Sequence, residues 1–340
     1  MVKEARIHWI DNLKAIGLIF IILGHSLAYP KYLLNYTYSF HVPLFFFIGG
    51  INFGENNIKA GFKVFLAKMA KRLLIPYIFF NLISYFFWFF RTKIIVENSD
   101  TAFYKPLIGI IYGIGIEDWL IHNTPLWFLP CLFICQIFLF ILLKTFRKSS
   151  VILIMLIISG LAGYLYSRFF NYRLPWGIDI AFTGTVFLGL GYLLKERLEK
   201  MFNRKSLVFS IIFLSLNIIF VILNGRIDMN YNRYNNIFLF YGAAFSGIFF
   251  WAIFSMKIGS PNILKYIGEN SLLFFSMHIP ILFIVVQSLM TLGIPYTVQE
   301  KNLLFSFIHT AMTLLFLSPA VFFTNRYLNF IYGGGRSSNK

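Results

Sequence analysis

The chain has 340 residues, of which 58% are hydrophobic, 20% aromatic and only 13% charged, with a mean hydropathy of +0.72. A soluble domain carries roughly 45–50% apolar and about 25% charged residues, a disordered chain needs low hydrophobicity, and two cysteines cannot build a disulfide framework. A polytopic membrane protein remains, with one conflict to resolve: 30 Lys+Arg against 13 Asp+Glu give a charge of +17, which in a soluble protein suggests nucleic acid.

A bilayer-spanning helix needs about 20 mostly apolar residues. Ten segments qualify, at 10–29, 37–53, 73–90, 125–143, 151–167, 178–194, 206–224, 236–256, 271–292 and 303–324. They are continuously apolar rather than alternating in polarity as in a β-barrel. The expected fold is therefore an all-α integral membrane protein of about ten transmembrane helices, one membrane domain over 1–340 with no internal repeat. The first segment has no small-residue cleavage site and carries polar residues, so it reads as a retained helix rather than a signal peptide. The second is short and rich in glycine (Gly49, Gly50, Gly54), which predicts a bend. The stretch 105–119 is partly apolar but carries Glu117 and Asp118 and reads as an outer loop, with a re-entrant segment as the alternative. Cys131 and Cys135, one helical turn apart, read as small apolar-compatible side chains; a metal pair would need further ligands.

Cytoplasmic loops of membrane proteins carry excess Lys and Arg. With the N-terminus inside, the inner segments hold 20 of the 30 basic residues and the outer segments nine, with Lys14 inside a span. This predicts both termini in the cytoplasm, as an even span count requires, in the cell membrane. The charge is then mostly topology, and nucleic acid drops out as a partner; membrane lipids take its place.

Ionisable side chains near the bilayer centre cost about 2.5–3.5 kcal/mol or more and need a reason. The first span places Asp11, Lys14 and His25 on one helix. At about 100° per residue, eleven steps from Lys14 to His25 return to within ~20° of one face, and a rise of ~1.5 Å per residue separates them by about 16 Å. Lys14 lies near the cytoplasmic end and His25 deeper, with Asn12 and Ser26 as polar neighbours. His41 begins the second span, and His278 and His309 lie inside the last two. Nothing has the spacing of a zinc site, so no metal is expected. The stretch 58–77 carries Lys59, Lys63, Lys68, Lys71 and Arg72, which read either as an interfacial helix on anionic lipid or as a landing site for a phosphorylated ligand.

Four segments taken together resemble the membrane-bound acyltransferase 3 family, in particular its fucose 4-O-acetylase-like branch. They are the opening W-I-D-N-L-K-A-I-G with L-G-H-S, which holds a basic residue, ten positions, then His at Lys14 and His25; F-H-V-P-L-F-F-F-I-G-G; K-R-L-L-I-P-Y; and P-L-W-F-L-P at 125–130 followed by N-S-L-L-F-F-S-M-H-I-P at 270–280. Where the family often shows two Arg three positions apart, this chain has Lys68 and Lys71, and Met69 stands opposite Arg72. Ile-Gly-Gly replaces a pattern in which Ser often precedes the second Gly. Some relatives carry a soluble C-terminal hydrolase-like domain; a chain ending in GGGRSSNK is expected to lack one.

The resemblance implies acyl transfer from cytoplasmic acyl-CoA, acetyl-CoA in the first instance, to a hydroxyl of a cell-surface glycan or lipid-linked sugar. A sugar hydroxyl needs a general base, and histidine is the usual choice; His25 is expected to deprotonate the acceptor or to carry the acyl group itself. Asp11 is expected to pair with Lys14 or another basic group, and Lys14, Lys68, Lys71 and Arg72 to hold the CoA phosphates. His41, Trp127, Asn270, Ser271 and His278 are expected to orient His25, bind the sugar, or satisfy one another between helices. The alternative is a polysaccharide or lipid-linked glycan exporter. The wealth of Ile, Phe, Lys and Asn suggests a bacterium with an AT-rich genome. Oligomeric state leaves no mark on the sequence.

Overall fold

A computed structural model describes residues 8–95, 100–201 and 206–328. The basic residues Lys3, Arg6, Arg204, Lys205, Arg336 and Lys340 of the charge count, and the side chain of Lys93, lie outside this description. The molecule is 79% helical; among the described residues the only β pairing is an isolated antiparallel bridge between Asp228 and Arg233. The main helices are α1 (His8–His25), α2 (Lys31–Ile51), α3 (Phe62–Thr92), α4 (Lys105–Tyr112), α5 (Phe128–Thr145), α6 (Ser149–Phe169), α7 (Ile178–Leu194), α8 (Ser206–Asn224), α9 (Ile237–Lys257), α10 (Asn262–Glu269), α11 (Ser271–Thr291) and α12 (Leu303–Tyr327).

Eight of these are long and apolar enough to cross a membrane: α3, α5, α6, α7, α8, α9, α11 and α12. The sequence expectation was ten. The two outside the group are α1 and α2, whose hydropathy is lowered by Asp11, Asn12, Lys14 and His25 on one and by Thr37, Ser39 and His41 on the other. The physical reason is their position. α1 packs against α2, α9, α10, α11 and α12, so protein rather than lipid surrounds its polar groups, and Asp11 and Asn12 are buried. By contrast α6 and α8 are mostly exposed apolar helices at the margin.

Two further expectations change. α2 is one continuous helix of 21 residues with Pro43 inside it, longer than the short segment expected. Its Gly50 serves a close contact: a Cβ there would fall 1.8 Å from the Leu188 carbonyl oxygen, and one on Gly191 2.1 Å from that of Phe47. The α2 and α7 backbones therefore touch through paired glycines. The cationic stretch before the third span is part of it, a helix of 31 residues from Phe62 to Thr92. Its middle, Ala70–Leu74, is a π-helical turn, a feature that recurs at functional sites. Within 105–119, residues 105–112 form α4, which is pinned by Tyr77 Oη donating to the Ile110 carbonyl at 2.7 Å.

Candidate functional site

Two cavities lie along the stripe of α1 that carries Lys14 and His25. The larger has a volume of about 1040 Å³ and is lined by Lys14 of α1, by Lys63, Lys68, Lys71 and Arg72 of α3, and by Ser271 of α11. Small-molecule sites span about 300–1,000 Å³, so this one suits a large or extended ligand. Five cations face it against a single carboxylate, Glu269. On a helix, positions three and four apart share a face, which is why Lys68, Lys71 and Arg72 reach one space. Two of the cations are held from behind. Lys14 Nζ stands 3.1 Å from Asp11 Oδ1, and Lys68 Nζ donates to Asn57 Oδ1 at 2.8 Å. Asp11 itself lines neither cavity.

The smaller cavity, about 350 Å³, holds His25, His41 and Trp127. His41 Nδ1 lies 2.7 Å from the Thr37 carbonyl oxygen, and His278 Nδ1 lies 2.6 Å from that of Phe275. A carbonyl oxygen only accepts, so Nδ1 carries the proton in each ring and Nε2 is left as a lone pair. His278 is fully buried, its Nε2 has no hydrogen-bond partner, and its ring centroid is 5.3 Å from that of His25. His278 itself lines neither cavity; a hydroxyl in the small cavity meets His25 and His41, and an imidazole lone pair can accept its proton.

The remaining expected residues fall elsewhere. Asn12 Nδ2 donates to the Ser255 carbonyl at 3.2 Å and the Gly259 carbonyl at 2.7 Å, tying α1 to the end of α9. Ser26 Oγ bonds the Leu23 carbonyl at 2.6 Å. Asn270 Nδ2 bonds the Tyr266 carbonyl at 2.7 Å, and its Oδ1 accepts from Asn325 at 3.1 Å. These three line neither cavity.

Sequence reading passed over the opposite wall of the small cavity. It is the loop between α8 and α9, which contributes Arg226, Asp228, Asn230 and Tyr231. The Arg226 guanidinium lies 3.7 Å from the ring centroid of Tyr38, another lining residue, and its Nη2 donates to Asp228 Oδ2 at 3.2 Å. Its Nε is buried without a hydrogen-bond partner. Burial raises the Asp228 carboxyl above the usual range, and Arg226 pulls it back. The loop is clamped from outside: Arg173 bonds both Asp179 and the Asn230 carbonyl, and Asn232 Nδ2 donates to Asp179 Oδ2 at 3.0 Å. The one signal in the sequence was the density of Asn, Asp, Arg and Tyr over 224–236.

Among the described residues no group of three or more His, Cys, Asp or Glu stands together as a metal site would require. Cys131 and Cys135 are free and buried. No curated protein matches the sequence, and no solved structure matches either. A family model does: the acyltransferase 3 model, described as an acyltransferase domain, covers residues 7–321. With this match over nearly the whole length of a helical bundle fit for a membrane, the chain belongs to the acyltransferase 3 family of membrane acyltransferases.

Proposed function

We propose that the protein is an O-acyltransferase of the fucose 4-O-acetylase-like kind. It moves an acyl group, acetyl in the first instance, from cytoplasmic acyl-CoA to a hydroxyl of a cell-surface glycan or lipid-linked sugar. The observation that carries this reading is the pair of cavities on one stripe of α1. One is large and lined by five cations; the other is small and contains His25. Lys14 and His25 are eleven residues apart, about 16 Å along the helix, a span for a long flexible arm rather than for direct contact. Lys14, Lys68, Lys71 and Arg72 hold the phosphates of the donor by charge-assisted hydrogen bonds, and Asp11 keeps Lys14 in place.

His25 takes the proton of the acceptor hydroxyl as its oxygen attacks the thioester carbon. The carbon–sulfur bond breaks, the ester bond forms, and the proton passes from His25 to the leaving thiolate. His278 and His41 orient His25, Trp127 and the 225–236 loop receive the sugar, and Ser271 lines the donor side. α1 and α2 cross the membrane with the other eight helices, giving ten spans with both termini in the cytoplasm; the basic surplus of the inner loops supports this orientation. The cell membrane of a bacterium is its location.

The test is turnover by the purified protein in lipid nanodiscs with acetyl-CoA and a glycan extract of the expressing cells. His25→Ala is expected to lower kcat by roughly 10²–10⁴-fold, the usual contribution of a general base. Lys14→Ala and Arg72→Ala are expected to raise KM for acetyl-CoA about 10-fold or more, as loss of a hydrogen bond to a charged group worth about 1.5–3 kcal/mol implies. Full activity of His25→Ala overturns the assignment. Glycan movement across the membrane without consumption of acyl-CoA would replace it with an exporter.

A further inference from the structure

The two cavities share three lining residues, Phe45 of α2, Phe128 of α5 and Phe275 of α11. The rings form a connected wall. Phe45 and Phe128 have centroids 6.2 Å apart and Phe128 and Phe275 5.7 Å apart, both edge to face. Each ring comes from a different helix, and each is fixed by its neighbours. Phe128 also packs on Phe46 at 4.9 Å. Phe45 occupies space left by Gly17 of α1, where a Cβ would come within 3.0 Å of its ring. Phe275 is joined to the histidine cluster by its own carbonyl, which holds His278.

A constriction of apolar rings passes neither phosphate nor free water readily, because hydrophobic constrictions dewet. The cations lie on one side of it and His25 on the other. A donor held by its phosphates must therefore put only its acyl end through the rings. A passage opened between such packed rings would also discriminate by size, since one methylene in an apolar pocket is worth about 10–200-fold.

We infer that Phe45, Phe128 and Phe275 are the filter between the donor and acceptor sides, restricting the donor to short acyl groups and barring water of the donor cavity from the thioester. The inference rests on the acyl-CoA reading above. The productive step breaks the carbon–sulfur bond and joins the acyl carbon to the acceptor oxygen. The leak that the filter prevents joins it to a water oxygen instead, releasing a carboxylate and the CoA thiol.

The experiment measures thiol release by the full chain in nanodiscs from acetyl-CoA and from butyryl-CoA, with and without a glycan extract of the expressing cells. The wild type is expected to use acetyl-CoA, to discriminate against butyryl-CoA, and to need the extract. Phe45→Ala, Phe128→Leu and Phe275→Leu are expected to raise the butyryl-to-acetyl ratio about 10-fold or more in at least one variant, and to raise release without extract. The ratio is taken within one preparation, so partial loss of folded protein cancels. A ratio within 2-fold of wild type in all three variants, or loss of release from both donors in all three, overturns the filter and leaves the transferase reading intact. Silence of the wild type with both donors and the extract sinks the transferase reading itself, and the filter with it.

Discussion

His278 carries the proton on Nδ1 because the Phe275 carbonyl can only accept, and its buried Nε2 has no hydrogen-bond partner beside His25. An unpartnered buried acceptor costs roughly 1–3 kcal/mol, and a hydrogen bond from His25, while it holds the acceptor's proton, would satisfy it. Replacing His278 with Ala is expected to lower kcat about 10-fold or more while KM for acetyl-CoA stays within 2-fold, because the donor cations are untouched. An equal loss in both constants would mark a packing role only. His25, Lys14 and the four cations of α3 were legible in the sequence because they stand out as charges or imidazoles beside apolar runs. Arg226 was not. In sequence it is one more basic residue in an outer loop, and only the fold sets it on Tyr38 across the cavity from His25.

At the scale of elements, the Gly-Gly pair ending α2 drew attention in the sequence, but composition alone could not separate a bend from a close crossing. The α2–α7 contact shows the crossing. Gly50→Ala must push the two backbones apart, since its Cβ would meet the Leu188 carbonyl at 1.8 Å. Overpacking typically costs about 1–3 kcal/mol, so the variant is expected to unfold at lower temperature in detergent. Gly54→Ala, with nothing within 4 Å of its Cβ, is the control and should leave the melting temperature within a degree or two. The same limit applied to the cationic stretch, which reads in sequence either as an interfacial helix or as a landing site for a phosphorylated ligand: it continues into the third span as one helix, and Lys63, Lys68, Lys71 and Arg72 line a cavity.

Across the whole molecule, the clamp of Arg173 and Asp179 on the 225–236 loop joins two distant stretches of chain. Removing one partner of a buried ion pair leaves the other uncompensated, typically a loss of 3–5 kcal/mol, so Asp179→Ala is expected to loosen the loop. If that loop receives the acceptor, KM for the glycan extract rises several-fold while KM for acetyl-CoA is unchanged; equal changes in both would remove the loop from acceptor binding. Orientation is tested separately with a thiol reagent that does not cross membranes. Lys148→Cys and Tyr172→Cys place thiols at exposed positions at opposite ends of α6. With the N-terminus inside, Tyr172→Cys is labelled in intact cells and Lys148→Cys only after lysis; the reverse pattern inverts the topology.

Composition and continuous apolar runs by themselves determined a helical membrane protein and located each long helix to within a turn or so at most ends, because a bilayer admits few other solutions for such a chain. The exceptions were the start of α2, six residues upstream of the expected boundary at residue 37, and the start of α3, where basic side chains hid a helix that continues eleven residues upstream of the expected boundary at residue 73. Helical periodicity also aligned Lys14 with His25. Tertiary structure alone decided which helices face lipid, so that polar α1 sits at the centre while apolar α6 and α8 lie outside. It alone divided the space along α1 into a cationic chamber and a histidine chamber with three phenylalanines between them. Those three rings lie far apart in sequence, two of them beside other phenylalanines, and no local pattern separates a ring that packs from a ring that partitions. Only the crossing of their helices does.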